Sequence, residues 1–262
     1  QSAVVATNTP FLNTFAIHTK QAAYRSYVLG LAIPQGSVVR SLYWDTEDPY
    51  HYVRVCSGDQ ADVLLVGGED HKTGQANNAG ERFDHLLQWA KQKFPMAGEI
   101  KFSWSGQVME PIDGLAFIGL NLGNKHVYIV TGDSGHGLTH GTIAGMLISD
   151  LIVGTKNAWE KLYDPSRKNV HAFGQFFKES CNVALQYTKL VSKGDVQSES
   201  EITPGSGAII KKGLKKIATY KDEQGKVYQC SALCPHLGCV VAWNGGEKTW
   251  DCPCHGSRFT AT

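Results

Sequence analysis

The spacing of apolar and polar residues divides the chain into a mixed region followed by a region of short strands. Between residues 22 and 67, Gly, Pro and Asp punctuate four runs rich in Val, Leu and Tyr, which predict the strands of an antiparallel meander. These runs read AYRSYVLGLAI, SVVRSLYW, YHYVRVC and ADVLLVGG. The segment 81–94 carries apolar residues at helical spacing, so a helix is expected there.

Further along, the pattern predicts two more strands, a glycine-rich turn and two more helices. EIKFSWSG and HVYIVTG (126–132) have the composition of strands, and the turn GDSGHG leads into a helix predicted over 139–153. Apolar residues recur at helical spacing over 173–191, which predicts a packed helix. The polar stretch SKGDVQSESE after that helix is typical of a linker.

From Ile202 onward the pattern again predicts strands, with a hairpin turn at Asp222–Gly225. The sequence therefore indicates an α+β protein with a mixed sheet in its first part and a small all-β region at its end. The predicted parts are residues 1–165, a helix and linker at 166–201, and residues 202–262.

The composition of the chain bears on whether it binds nucleic acid or spans a membrane. The 262 residues are 42% hydrophobic and 19% charged, with a net charge of +1, which gives no reason to expect a nucleic-acid partner. No apolar run reaches the roughly 18 residues needed to span a bilayer. The first residues, QSAVVATNTPF, contain neither an initiator Met nor a signal-peptide pattern, and AVVA reads as a strand. We therefore expect a cytoplasmic protein whose sequence here begins inside a longer chain.

Two short loops concentrate metal-binding residue types. CPHLGC (234–239) and CPCHGS (252–257) each supply one Cys-then-His pair. The twelve residues between the loops (240–251) are enough for two short strands. Two thiolates on one iron and two imidazoles on the other would suit a [2Fe–2S] centre of raised reduction potential. Zinc is the alternative, although zinc sites normally use C-x2-C pairs. The remaining cysteines, Cys56, Cys181 and Cys230, are expected to be core thiols.

These loops resemble those of the Rieske family, in the C-x-H-x-G-C and C-x-C-H-x-S variety found in cytochrome bc-type complexes. The resemblance covers residues 202–262. It implies that Cys234 and Cys252 ligate one iron, while His236 and His255 ligate the other. It also implies that the histidine ligands are exposed at the cluster tip and form the electron exit.

The same resemblance assigns roles to the residues around the ligands. It implies a disulfide between Cys239 and Cys254 that clamps the two loops, and a hydrogen bond from the Ser257 hydroxyl to a cluster sulfur. High-potential members of the family have a Tyr two residues after that Ser, where this chain has Phe259. Because a phenyl ring cannot donate a hydrogen bond, we expect a reduction potential below the highest in the family.

The turn TGDSGHGLTHG (131–141) lies between a predicted strand and a predicted helix. Its glycines allow a ligand to approach the backbone, and the helix start offers free N–H groups. A tight turn without a ligand would have the same sequence features. Together with VVATNTPF and EPIDGLAFIG, however, this turn resembles the C-terminal half of the FAD-dependent amine and amino-acid oxidoreductases of the D-amino-acid oxidase and glycine oxidase type.

This second resemblance covers residues 1–165 and implies a flavin-contact segment. Its residues are Gly132, Asp133, Ser134, Gly135, His136, Gly137, Leu138 and Thr139. The helix start at Thr139 would face the pyrimidine end of the flavin ring, where its dipole favours an anionic reduced form. The chain has no G-x-G-x-x-G unit following a first strand, so the part that holds the ADP moiety of FAD is absent and the chain alone is expected to bind FAD weakly.

The substrate side departs from the amino-acid oxidases. Where these enzymes clamp a substrate carboxylate with Arg, the stretch SGQVMEPIDG offers Gln107, and a second family Arg aligns with Gly135. An amine other than a simple α-amino acid is therefore the expected substrate. Candidates for the substrate side are Tyr24, Tyr52, Arg54 and Gln107.

Taken together, the resemblances imply an oxidoreductase in which FAD-dependent oxidation of an amine is coupled to one-electron transfer by a Rieske centre. The expected partner is a redox protein or a quinone. A stand-alone electron-transfer or redox-sensing protein with a non-catalytic flavoenzyme-like scaffold is the alternative. Rieske domains usually continue for two or more strands beyond the second loop, so we expect this Rieske region to be incomplete at its C-terminus and its cluster to be absent or loosely held.

Overall fold

The computed structural model describes residues 1–9, 11, 12, 15–167 and 173–262, and it confirms the α+β class. A five-stranded antiparallel sheet dominates the first part, in the order β3–β4–β5–β2–β6. Its strands are β2 (Gln21–Ile33), β3 (Leu42–Trp44), β4 (Tyr52–Cys56), β5 (Asp62–Lys72) and β6 (Ile100–Pro111). The four predicted strands are present, but the predicted meander is wrong for β2: β3, β4 and β5 are neighbours in chain order, whereas β2 pairs with β5 and β6 and not with β3. SVVRSLYW forms a strand only over its last residues.

The two faces of this sheet have different surroundings. Odd-numbered residues of β2, such as Leu29 and Leu31, pack in one core with Leu86 and Ala90 of helix α2 (Ala79–Lys93). We call this the helix face. Even-numbered residues of β2 lie on the other side, which we call the open face, because side chains alternate along a strand. Residues paired directly across antiparallel strands share a face, so the register extends this division to the neighbouring strands.

A second, smaller sheet joins β1 (Ala3–Val5), β8 (Val127–Thr131) and β7 (Phe117–Leu120), with β1 parallel to β8. Helix α3 (Gly137–Val153) packs on it through Leu147 and Ile148. The predicted helix at 139–153 is therefore confirmed, with its start two residues earlier. The short helix α1 (Phe15–His18) is fixed by Ile17, which is buried among Val5, Phe117 and Ile129.

Helices α4 (Glu160–Tyr163) and α5 (Phe173–Tyr187) connect the two parts. The helix predicted over 173–191 ends at Tyr187 and continues as one 3₁₀ turn at Thr188–Leu190. The expected linker is partly ordered, because Val196 forms a bridge with Ile210. Within the described residues, no helix is both long enough and apolar enough to cross a bilayer.

The last part consists of two three-stranded antiparallel sheets. One contains β9 (Ser206–Lys212), β10 (Lys215–Lys221) and β11 (Val227–Ser231), and the other contains β12 (Ala242–Asn244), β13 (Thr249–Asp251) and β14 (Arg258–Thr260). Tyr220, Trp243 and Trp250 fill the space between the sheets, with Trp250 fully buried. The two Cys/His loops connect strands at one end of this core.

Candidate metal centre

The two Cys/His loops close in the same way. In the first, Cys234 N–H donates to the Cys239 carbonyl at 2.9 Å, and in the second, Cys252 N–H donates to the Ser257 carbonyl at 2.8 Å. Each loop contains a glycine with left-handed backbone geometry, Gly238 at φ 74° and Gly256 at φ 75°. A side chain at either position would strain the turn. The paired motif therefore produces two matched loops.

A disulfide joins the loops. Cys239 and Cys254 are bonded, with their Cα atoms 6.5 Å apart, which agrees with the expected clamp. The Sγ atoms of Cys239, Cys252 and Cys254 lie within 4.8 Å of one another. Because two of these sulfurs form the disulfide, Cys252 is the thiol in this group that remains for a metal.

The two remaining loop cysteines face each other in a buried position. A hydrogen bond with Cys252 lowers the pKa of the Cys234 thiol to about 6, while burial opposes the shift and bonds from the His236 backbone and the Ser257 hydroxyl support it. The same bond to Cys234, followed by burial, raises the pKa of Cys252. The pair thus shares one proton and readily releases the other, as metal-binding thiols must.

The loop histidines complete the donor set. The ring centroids of His236 and His255 are 5.0 Å apart. Burial, His18 and His236 together lower the pKa of His255 to about 4, so its ring is neutral at pH 7 and able to bind a metal. Two thiols and two imidazoles match the mixed ligand set of a Rieske-type [2Fe–2S] centre, and they also satisfy the chemistry of zinc.

A third imidazole, which sequence analysis did not identify, lies on this donor set. The ring of His18 is 4.5 Å from that of His236 and 5.5 Å from that of His255, measured between centroids. Burial and the neighbouring His236 lower the pKa of His18. Because His18 covers the loop, His255 is buried and His236 is partly buried. The expectation of two exposed histidine ligands is therefore wrong.

The second loop rests on the helix face of the large sheet. The Gln107 side-chain amide donates to the Gly256 carbonyl at 2.8 Å. A Cβ at Gly256 would lie 2.4 Å from the Cβ of Ala23, so the contact requires glycine. Beside it, Arg25 and Asp251 form an ion pair at 2.7 Å, with both side chains only 1% exposed. Strands β2 and β6 thus support the second loop.

Helix α5 supports the loops from another side. The Tyr187 hydroxyl donates to the Leu237 carbonyl of the first loop at 2.8 Å. Asn182 and the Gln75 side chain are hydrogen-bonded at 2.7 Å, next to the Pro253 carbonyl of the second loop. The loops are therefore supported by helix α5 and by Gln75 of the first part of the chain.

The proposed flavin-contact segment is shaped by left-handed backbone at Gly132, Ser134 and Gly135. Helix α3 starts after His136 without a side-chain cap, so N–H groups of its first turn are available to a ligand. Ser134 fixes the turn to β6, since its N–H donates to the Met109 carbonyl and its hydroxyl donates to Glu110 at 2.5 Å. These features fit contact with an anionic ligand such as a reduced flavin ring.

The four substrate-side candidates do not all share one face. Tyr24 and Tyr52 lie on the open face, with the Tyr52 ring so close over Gly67 that a Cβ there would come within 2.0 Å of it. Arg54 shares this face by register but is exposed, and its guanidinium contacts Cys56. Gln107 pairs with Arg25 on the helix face, where it binds the cluster loop.

Two carboxylates that were not identified from sequence lie with the tyrosines. Burial raises the pKa of Tyr24 and of Tyr50, each to about 12. Glu179 and then Glu110 add to the shift at Tyr24, and Asp70 adds to the shift at Tyr50. Burial, followed by Glu110, also raises the pKa of Asp70 itself. The open face beside the flavin-contact turn therefore combines tyrosine rings with negative charge.

Three expectations about cysteines need correction. Cys181 and Cys230 are exposed, and Cys56 is only partly buried. Cys230 lies on β11, an edge strand of its sheet, and its side chain faces solvent. Phe259, by contrast, packs as an apolar side chain against the core that contains Trp243 and Trp250. Its expected effect on the reduction potential remains a prediction.

Comparison with known proteins agrees with both halves of the site. Residues 1–151 match the family described as FAD dependent oxidoreductase, and residues 192–262 match the Rieske [2Fe-2S] domain. The chain is 32% identical over 238 residues to the Rieske 2Fe-2S iron-sulfur protein YhfW of Bacillus subtilis (strain 168), a match that covers 90% of this chain and 46% of that protein. The chain thus spans about half the length of this relative.

Two further proteins are each similar to one part of this chain. The chain is 48% identical over 56 residues to the cytochrome b6-f complex iron-sulfur subunit of Synechococcus sp. (strain JA-3-3Ab), which covers 20% of this chain and 33% of that subunit. The solved structure of glycine oxidase from Geobacillus kaustophilus superposes with a TM-score of 0.49 and 17% identity, over 57% of this chain and 40% of that one. Both resemblances deduced from the motifs are confirmed by the family matches, which imply FAD and a [2Fe–2S] cluster as cofactors. The chain belongs to the family of FAD-dependent oxidoreductases and carries a C-terminal Rieske [2Fe–2S] domain.

Proposed function

We propose that this chain supplies the substrate side of a flavin-dependent amine oxidoreductase and the electron outlet of the same enzyme. The observation that carries the proposal is the use of the two faces of β6. Its open face presents Glu110 beside the flavin-contact turn, while its helix face presents Gln107 to the cluster loop. One strand thereby lies between the substrate side and the cluster.

The cofactors define the chemistry. When bound, FAD accepts two electrons as a hydride and a [2Fe–2S] centre carries electrons one at a time, so an outside partner would receive two successive electrons per amine oxidised. A small redox protein or a quinone meets this requirement. The exposed thiols Cys181 and Cys230, besides the single disulfide, favour a reducing, cytoplasmic compartment.

An amine fits the open face better than an amino acid does. A substrate carboxylate would face Glu110 and Asp70, whereas a protonated amine would be attracted to these carboxylates and to the ring face of Tyr52. The residues would bind the cation and orient the carbon next to its nitrogen. We therefore infer a substrate with a positive charge and no adjacent carboxylate.

An anaerobic titration of the full-length protein tests the coupling. Addition of a substrate amine should bleach the yellow flavin band and then produce the electron paramagnetic resonance (EPR) signal of a reduced Rieske cluster. Flavin bleaching without any cluster signal would refute the coupling. A cluster that is reduced by dithionite while no amine bleaches the flavin would instead favour the electron-transfer or redox-sensing alternative.

The variant Glu110→Gln tests the substrate class. Loss of one charged contact to the amine should raise KM about 10- to 100-fold, with a smaller change in kcat. The control Glu99→Gln removes an exposed carboxylate immediately before the same strand and should leave KM unchanged. A Glu110→Gln enzyme that keeps the wild-type KM for protonated amines would contradict the assignment.

A further inference from the structure

The cluster ligands are in contact with a residue of the flavin-family domain, His18. It lies at the end of α1, more than 200 residues from either loop histidine, and is 5% exposed. The position of His18 is fixed by the residue before it, because Ile17 is 2% exposed within the core formed with Val5 and Phe117. The first domain thus holds His18 firmly against the loops.

The hydrogen bonds of the His18 ring are incomplete among the described residues. Its Nε2 faces the Leu12 carbonyl at 3.3 Å, and because a carbonyl can only accept, Nε2 must carry the proton. Its Nδ1 is buried and has no partner within the described part of the chain. With the proton on Nε2, Nδ1 presents a buried lone pair, and an unpaired buried acceptor is costly.

A histidine that ligates a metal has the opposite requirement. It binds through one ring nitrogen, and the other becomes an N–H donor that almost always finds an acceptor. His236 and His255 are the nearest rings to His18, at 4.5 and 5.5 Å between centroids. The unpaired acceptor of His18 and the outer N–H groups of these ligands are chemically complementary.

We propose that His18 is a positioning residue for the Rieske cluster, whose Nδ1 accepts a hydrogen bond from the outer N–H of a ligating histidine. His18 thereby fixes the orientation of that ligand ring, makes it more basic and keeps water away from the cluster on the side of the flavin domain. This inference rests on the Rieske part of the proposed function.

Two substitutions separate an acceptor from a merely space-filling ring. His18→Phe keeps an aromatic ring without a lone pair, and His18→Gln keeps a carbonyl acceptor without the ring. In the reconstituted protein, His18→Phe should raise the midpoint potential of the cluster, change its EPR g-values and accelerate chelator-driven bleaching about 10-fold or more. His18→Gln should return each value toward wild type.

The matched control is His126→Phe, which changes an exposed histidine of the same domain. Circular dichroism of all variants reports whether they fold. His18→Phe with the potential, g-values and chelation rate of wild type would overturn the proposal, and so would His18→Gln variants that behave like His18→Phe. A folded wild-type protein that assembles no cluster after iron and sulfide reconstitution would overturn the Rieske assignment itself and this inference with it.

Discussion

Replacing Asp251 by alanine should lower the free energy of unfolding by about 3–5 kcal/mol, because it leaves the buried charge of Arg25 without its carboxylate. Both side chains are 1% exposed, so water cannot replace the lost partner. The remaining described hydrogen-bond acceptor of the Arg25 side chain is the hydroxyl of Ser105. Urea unfolding followed by tryptophan fluorescence measures the effect, since Trp250 precedes Asp251 in the same strand.

The reverse substitution, Arg25→Met, should cost less than Asp251→Ala. Asp251 retains donors within its own domain, from Asn244 at 2.8 Å, Thr249 at 2.9 Å and Arg258 at 3.1 Å. The difference arises because a charge without a partner is more costly than a charge that keeps several hydrogen bonds. Arg25→Met should act mainly on docking, and hydrogen exchange should then increase at the contact between the loop and β2.

The control for this pair is Glu223→Ala, which breaks an exposed ion pair with Lys248. That variant should unfold at the same urea concentration as wild type, because exposed pairs contribute little. If Asp251→Ala were as stable as Glu223→Ala, the buried ion pair would not be what holds the two domains together. Hydrogen exchange in each variant would then identify the contacts that do.

Local sequence patterns predicted most of the helices and strands and the two Cys/His loops, because each of these features is encoded within a few neighbouring residues. The alternation in β2 and β5, the helical spacing in α2, and the two loop motifs each depend on neighbours in sequence. The division of β6 between two faces was not predicted. Gln107 and Glu110 are three positions apart and thus project to opposite sides, but which side carries the cluster loop depends on pairing with β2.

The contact of His18 with the loops could not be predicted from sequence for a related reason. More than 200 residues separate them, and only the docking of one domain on the other brings them together. The ligand histidines are recognisable because each lies next to cysteines in the chain, whereas His18 has no cysteine nearby in sequence. Likewise, the exposure of Cys181 and Cys230 depends on which face of α5 and which edge of a sheet is covered. The sequence around each cysteine does not contain that information.

Replacing Cys252 by alanine should abolish the cluster. The Cys252 thiol is 2% exposed, faces Cys234 and cannot be replaced by Cys239 or Cys254, whose sulfurs are joined in the disulfide. Removal of this thiol leaves one iron with a single protein sulfur ligand, and water is excluded from the site. We expect the iron content after reconstitution to fall from about two atoms per chain to almost none, with loss of the visible band and the EPR signal.

Cys181→Ala is the matched control, because it removes an exposed free thiol of helix α5 and should leave iron binding unchanged. Metal analysis of the same samples also tests the zinc alternative. Two thiols and two imidazoles could hold one zinc ion, and Cys252→Ala would weaken that site as well. Only a redox cluster gives two irons, two labile sulfides and a signal that appears on reduction. Stoichiometric zinc in the wild-type protein, without labile sulfide, would contradict the assignment of an electron-transfer centre and leave the docked loops with a purely structural role.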